Sequence, residues 1–109
     1  MPKLPLRRTI LFARDLDLLT RFYRDVLGLT VRKGSAKEGW VDFGTLALHR
    51  GTPRPGSTKI AFYASNVAKS RADLLSRGAT FGNVKDFGDL ILCDGKDPEG
   101  NPIQLSNRR

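Results

Sequence analysis

Thr9–Val31 reads TILFARDLDLLTRFYRDVLGLTV, and Lys59–Phe81 reads KIAFYASNVAKSRADLLSRGATF. At a constant offset of fifty, five residues coincide: Ile10 with Ile60, Phe12 with Phe62, Arg21 with Arg71, Gly28 with Gly78 and Thr30 with Thr80. Five identities alone arise easily by chance. The order of elements around them carries more weight, because a repeated unit repeats its folding signals.

Each half opens on a β-rich run and then a helix cap, Asp15 in the first half and Ser65 or Asn66 in the second. In the first helix Leu19, Phe22, Tyr23, Val26 and Leu27 recur at three- and four-residue steps, one apolar stripe. Val67, Ala68, Ala72, Leu74 and Leu75 make a weaker stripe in the second. Both helices stop at a glycine, Gly28 and Gly78, the residue best suited to a left-handed C′ position. Short strands follow: LTVRK, GWVDFG and TLALHR in the first half, ATFG, DLILCD and NPIQLS in the second. Each half therefore reads β-α-β-β-β. The pattern predicts an α+β fold of two such modules in tandem, about 6–50 and about 58–107, with RGTPRPGS (Arg50 to Ser57) holding a Pro/Gly linker at 51–57. One helix covers one face of four strands, so the other faces stay concave. Two units edge to edge would enclose a cleft, where sites tend to lie.

The totals agree with one domain of 109 residues, 39% hydrophobic and 28% charged. No apolar run approaches the roughly 20 residues of a membrane span. MPKLPLRRTI has cations but no following apolar stretch, so no signal peptide is expected. The single cysteine, Cys93, has no internal disulfide partner, which suits the cytoplasm. It follows LIL in a strand with no activating neighbour evident, so a buried, inert thiol is expected. Nineteen basic against eleven acidic residues give +8, spread along the chain without a dense run. That balance fits either an anionic ligand or solubility alone, and argues against a cationic ligand. No G-x-G-x-x-G, P-loop or serine-nucleophile elbow occurs, so no cofactor is expected.

ARDLDLLTRFYRDVLGL (Ala13 to Leu29), LALH (Leu46 to His49), IAFYASN (Ile60 to Asn66) and DPEGNPIQL (Asp97 to Leu105) together resemble the vicinal oxygen chelate superfamily. That superfamily includes glyoxalase I, bleomycin-resistance proteins, fosfomycin-resistance enzymes and extradiol dioxygenases. The resemblance covers nearly the whole chain. In metal-dependent members it implies a divalent ion in the cleft, held from the first and last strands of each half. Those positions fall here on Arg8, on Ala47 or His49, on Lys59, and on Gln104, where a Glu usually stands. Protonated Arg and Lys have no lone pair to give. Two unit charges about 4 Å apart interact by roughly 4 kcal/mol at a dielectric near 20, and a divalent ion about doubles that. No metal is therefore expected.

Seven residues are candidates for ligand binding: Arg8, Phe12, Trp40, His49, Lys59, Tyr63 and Gln104. Arg8 and Lys59 either capture an anion or lay their stems along the sheet with heads in water. His49 is either a general base in the cleft or a strand-end histidine. Trp40 is either a platform for a planar ligand or packing. The resulting expectation is a metal-free binding protein for an anionic or neutral aromatic small molecule. The alternative is a metal-dependent glyoxalase-like lyase, isomerase or dioxygenase with an atypical ligand set. A nucleic-acid module fits poorly, because EGWVDFG carries acids where the RNA-binding motif needs cations. The family's habit of pairing units across chains implies a homodimer, and no membrane partner is expected.

Overall fold

The computed structural model describes residues 3–109. The chain divides into two compact units, Met1–Pro53 and Arg54–Arg109. The tandem α+β architecture is present in full.

In the first module β1 (Thr9–Ala13) leads into α1 (Leu16–Arg21), followed by β2 (Lys33–Ser35), β3 (Trp40–Asp42) and β4 (Leu46–Arg50). The sheet order is β1-β4-β3-β2, with β1 parallel to β4 and the rest antiparallel. Asp15 caps α1 by accepting from the Leu18 amide at 3.0 Å, which is worth about 1 kcal/mol. Leu16, Leu19 and Tyr23 are fully buried against the face that carries Leu11, Val41 and Leu48. The rings of Tyr23 and Phe43 lie 6.3 Å apart and fix that contact.

After Arg21 the helix widens into a π-turn, Phe22–Val26, closed by a bond from the Leu27 amide to the Phe22 carbonyl. The Leu29 amide then reaches back to the Tyr23 carbonyl. This tie holds the segment that the sequence suggested as the strand LTVRK. Only Lys33–Ser35 pairs as β2, and its middle residue, Gly34, adopts a φ of +83° beneath Trp40.

The second module runs β5 (Ile60–Tyr63), α2 (Val67–Ser76), β6 (Thr80–Phe81), β7 (Lys85–Asp86), β8 (Ile91–Lys96) and β9 (Pro102–Ser106). Its order is β5-β9-β8-β6, with β7 also paired to β8. Asn66 rather than Ser65 is the cap, accepting from the Lys69 amide. Of the expected stripe only Val67 and Leu74 are buried, while Ala68, Ala72 and Leu75 are exposed. The spacing of seven between Val67 and Leu74 makes Ser70 and Arg71, both half-buried, the middle of the packed face. Arg71 earns that place by donating to the carbonyls of Gly82 and Phe81.

β7 was not foreseen. Thr80 pairs with Lys96 and Phe81 with Gly95, but Lys85 pairs with Leu92 and Asp86 with Ile91. The register slips by one residue between the two pairs. β6 and β7 are thus one edge strand broken by a bulge near Asn83 and Val84.

The π-turn revises the repeat. Fifty-one residues separate the caps Asp15 and Asn66, whereas fifty separate the terminal glycines Gly28 and Gly78. The first helix holds one extra residue, which a π-turn absorbs. Before the helices the equivalent pairs are therefore Arg8 with Lys59 and Phe12 with Tyr63. The identities Ile10/Ile60 and Phe12/Phe62 do not mark equivalent positions: Phe12 is 53% exposed, while Phe62 is half-buried and pairs with the core residue Leu105.

Candidate functional site

Alternation sorts each sheet into two faces. In the first module Leu11, Leu48 and Val41 pair across three strands and turn toward the helix. The intervening rows face away from it. One row is Phe12–His49–Trp40, and the next is Ile10–Ala47–Asp42 with Lys33 beyond. Arg8 precedes Ile10 on the same side, and its guanidinium lies 3.9 Å from the Asp42 carboxylate. So Arg8, Phe12, Trp40 and His49 share one helix-free face.

The rings of Phe12 and His49 meet edge to face, with centroids 6.4 Å apart and planes at 76°. Among the described residues no carboxylate is hydrogen-bonded to the imidazole, so the orienting partner of a general base is not in place. Trp40 is half-buried, its ring laid over Gly34. A Cβ at Gly34 would come within 2.8 Å of that ring, so the glycine is what lets the indole lie against β2. Ala47, small and buried, is the middle of the second row.

In the second module Ile103, Leu105 and Cys93 are buried on the helix side. Lys59, Ala61 and Tyr63 alternate onto the other face, where Ala61 pairs with Gln104 and Gln104 with Asp94. Asp94 joins the group: its Oδ1 accepts from Lys59 Nζ at 3.0 Å and from Gln104 Nε2 at 3.0 Å. Partial burial of Asp94 disfavours its charge. The hydrogen bonds from Lys59 and Gln104 and the charges of Lys59 and Lys85 outweigh that, and hold its carboxyl below the usual range. Tyr63, about half exposed, has the Arg109 guanidinium carbon 5.3 Å from its ring centroid.

The seven expected residues thus form two groups, one on each sheet. Sequence reasoning missed Asp94. Its signal was present in the alternation of Leu92, Asp94 and Lys96 opposite the last strand. Lys59 is not a free cation, as the anion-capture reading required, because Asp94 engages it.

The register also settles which residue of β4 corresponds to Gln104. Gln104 lies opposite Ala61, and the equivalent of Ala61 in the first module is Ile10, which lies opposite Ala47. His49 is two residues further along. The positions to which the resemblance assigns a metal are therefore a guanidinium, a methyl, an ammonium and a carboxamide. Only the carboxamide can donate an oxygen, and its own amide group is spent on Asp94. Among the described residues, no three His, Cys, Asp or Glu side chains gather around a common point. These residues do not fit a divalent ion.

Cys93 is fully buried, and desolvation pushes its thiol up against the opposing pull of Arg71. It belongs to the core, as expected. No helix is long and apolar enough to cross a membrane among the described residues.

The chain closely shares its fold with several solved proteins. A lactoylglutathione lyase from Agrobacterium tumefaciens superposes with a TM-score of 0.76 at 20% identity, over 97% of this chain and 95% of that one. A glyoxalase/bleomycin resistance protein/dioxygenase from Nocardioides gives 0.80 at 18%, over 97% and 84%. An integron cassette protein from a harbour sewage metagenome gives 0.79 at 15%, over 95% and 98%. No functionally curated protein matches the sequence. The glyoxalase-like domain model matches residues 8–106. With that match over nearly its whole length, the chain belongs to the glyoxalase-like domain family of the vicinal oxygen chelate superfamily.

Proposed function

We propose that this chain is a metal-free small-molecule-binding protein that holds an anionic or neutral aromatic ligand against the helix-free face of its first module. The observation that supports this most is the cross-strand row Phe12–His49–Trp40 next to the row Ile10–Ala47–Asp42, where the Arg8 guanidinium lies beside Asp42. Phe12 is 53% exposed, so an apolar ring is offered where a planar ligand can stack. Arg8 is half-exposed and touches Asp42 only at 3.9 Å, so it can turn to an incoming carboxylate or phenolate. The overall charge of +8 raises the local concentration of anions. Gln104, tied to Asp94, serves on its own sheet as a neutral hydrogen-bonding group rather than a metal ligand.

The test is a thermal-shift screen of aromatic carboxylates and phenols in the presence of chelator. A ligand that raises the melting temperature of the parent chain, and does so less in Phe12→Ala, supports the reading. Failure of every such molecule removes it.

The alternative is a metal-dependent lyase, isomerase or dioxygenase. One observation favours it: Asp42 and His49 put an oxygen and a nitrogen donor on the same face. Metal analysis of protein purified without chelator decides it, since a bound first-row metal near one equivalent would require this reading. As partners we propose a small molecule and a second copy of the chain, with no nucleic acid and no membrane. A monomeric mass by light scattering at micromolar concentration would contradict the homodimer.

A further inference from the structure

A second site lies at the end of the first sheet, where Asp42–Thr45 turns β3 into β4. A groove of about 360 Å³ opens there between Arg7 and Arg8, which precede β1, and Arg32 and Lys33, which enter β2. Its floor is Asp42 and the Gly44–Thr45 turn. Phe12, His49 and Trp40 do not line it.

Three local features hold these cations around one space. The Arg32 amide donates to the Asp42 carbonyl at 2.7 Å, which seats its backbone beside the turn. Gly44, at a φ of +107°, has no side chain, and a Cβ there would lie 3.1 Å from Arg32 Nε and 3.4 Å from Cζ. The Arg32 guanidinium therefore rests against the turn in the space the glycine leaves. Lys33 pairs directly with Asp42 across the strands.

The charges do not cancel. Asp42 Oδ1 already accepts the Gly44 amide at 2.6 Å, and Oδ2 faces Arg8. One carboxylate stands against four cations, so the groove keeps an excess of three positive charges. A carboxylate ligand would neutralise one of them. A phosphomonoester brings nearly two negative charges at neutral pH and three acceptor oxygens, which suit several guanidinium forks at once. We infer that this groove binds the phosphate of a phosphomonoester. The inference goes beyond the aromatic row: Arg8, Asp42 and Lys33 lie on that row's face, whereas Arg7, Arg32 and the Gly44–Thr45 turn belong to the groove alone.

Inorganic phosphate is the probe. Amide resonances are followed by NMR as phosphate replaces chloride at constant low ionic strength. The expected result is saturable shifts centred on Arg32, Lys33, Gly44 and Thr45. Arg32→Gln and Lys33→Gln should each weaken binding by about fivefold or more. Lys69→Gln removes the same charge from an exposed position of α2 and should leave binding within about twofold. The inference is overturned if phosphate shifts none of the groove amides, or if Lys69→Gln weakens binding as much as Arg32→Gln. Loss of phosphate binding with stacking on the aromatic face intact would sink this site and leave the proposed function standing.

Discussion

Asp94 shows how a single side chain changes the reading of its neighbours. From sequence, Lys59 and Gln104 looked like a free cation and a free amide; in the folded chain one carboxylate oxygen engages both. The sign of its effect on stability follows from its lowered pKa. A carboxyl held below its unfolded value of about 3.9 stabilises the fold above that pH, and the contribution disappears as pH falls through the lower folded value. The Asp94 side chain is 39% exposed, so the contribution is small. Asp94→Asn should cost under about 1 kcal/mol at neutral pH and flatten the loss of stability below pH 4, as read by denaturant unfolding across pH. Cys93 gives the opposite case, a residue correctly read from sequence because its apolar neighbours LIL dictate burial. It should resist a thiol reagent in the native chain and react on unfolding. Cys93→Ser would place a hydroxyl in a dry core and should cost about 1–3 kcal/mol in the same unfolding assay.

At the scale of elements, the strongest local signals were caps and turns, whose chemistry acts within a few residues. Asp15, Gly28 and Gly78 do what their residue types dictate. The DPEGN turn between β8 and β9 is another. Asp97 is buried, its Oδ1 accepts the amides of Glu99 and Asn101, and its Oδ2 accepts from Asn101 Nδ2 at 2.8 Å. Gly100 supplies the required positive φ of +86°. This network sets where β9 begins, and hence that Gln104 rather than Ile103 faces away from the helix. Asp97→Ala should strand buried amides and cost about 2–3 kcal/mol in thermal or denaturant unfolding. A loss below about 0.5 kcal/mol would show that the turn holds without its carboxylate. What sequence did not reveal at this scale are the two one-residue insertions. The π-turn at Phe22–Val26 and the bulge in the β6–β7 edge strand leave the apolar pattern almost intact. Periodicity over one or two turns does not distinguish 3.6 residues from a locally wider turn. The cost was a misaligned repeat, in which Phe12 was matched to Phe62 instead of Tyr63.

At the scale of the whole molecule, the fold was legible because the same order of elements occurs twice and DPEGNPIQL closes it. The chemistry was legible only in part. Side-chain direction depends on register; the sequence leaves two registers open in β4, and pairing with β1 places Ala47, not His49, opposite the equivalent of Ala61. In that register, the positions to which the resemblance assigns a metal carry one oxygen donor among four. Ligand binding on the first module, as proposed, proceeds without a metal. Trp40 is the only tryptophan, so its fluorescence reports that face directly. The decisive measurement is a Trp40 fluorescence titration with an aromatic carboxylate, run once with chelator and once with added nickel or zinc. Saturable quenching with the same midpoint in both, reduced in Arg8→Gln, is the expected result. Quenching that appears only when the metal is added would contradict it.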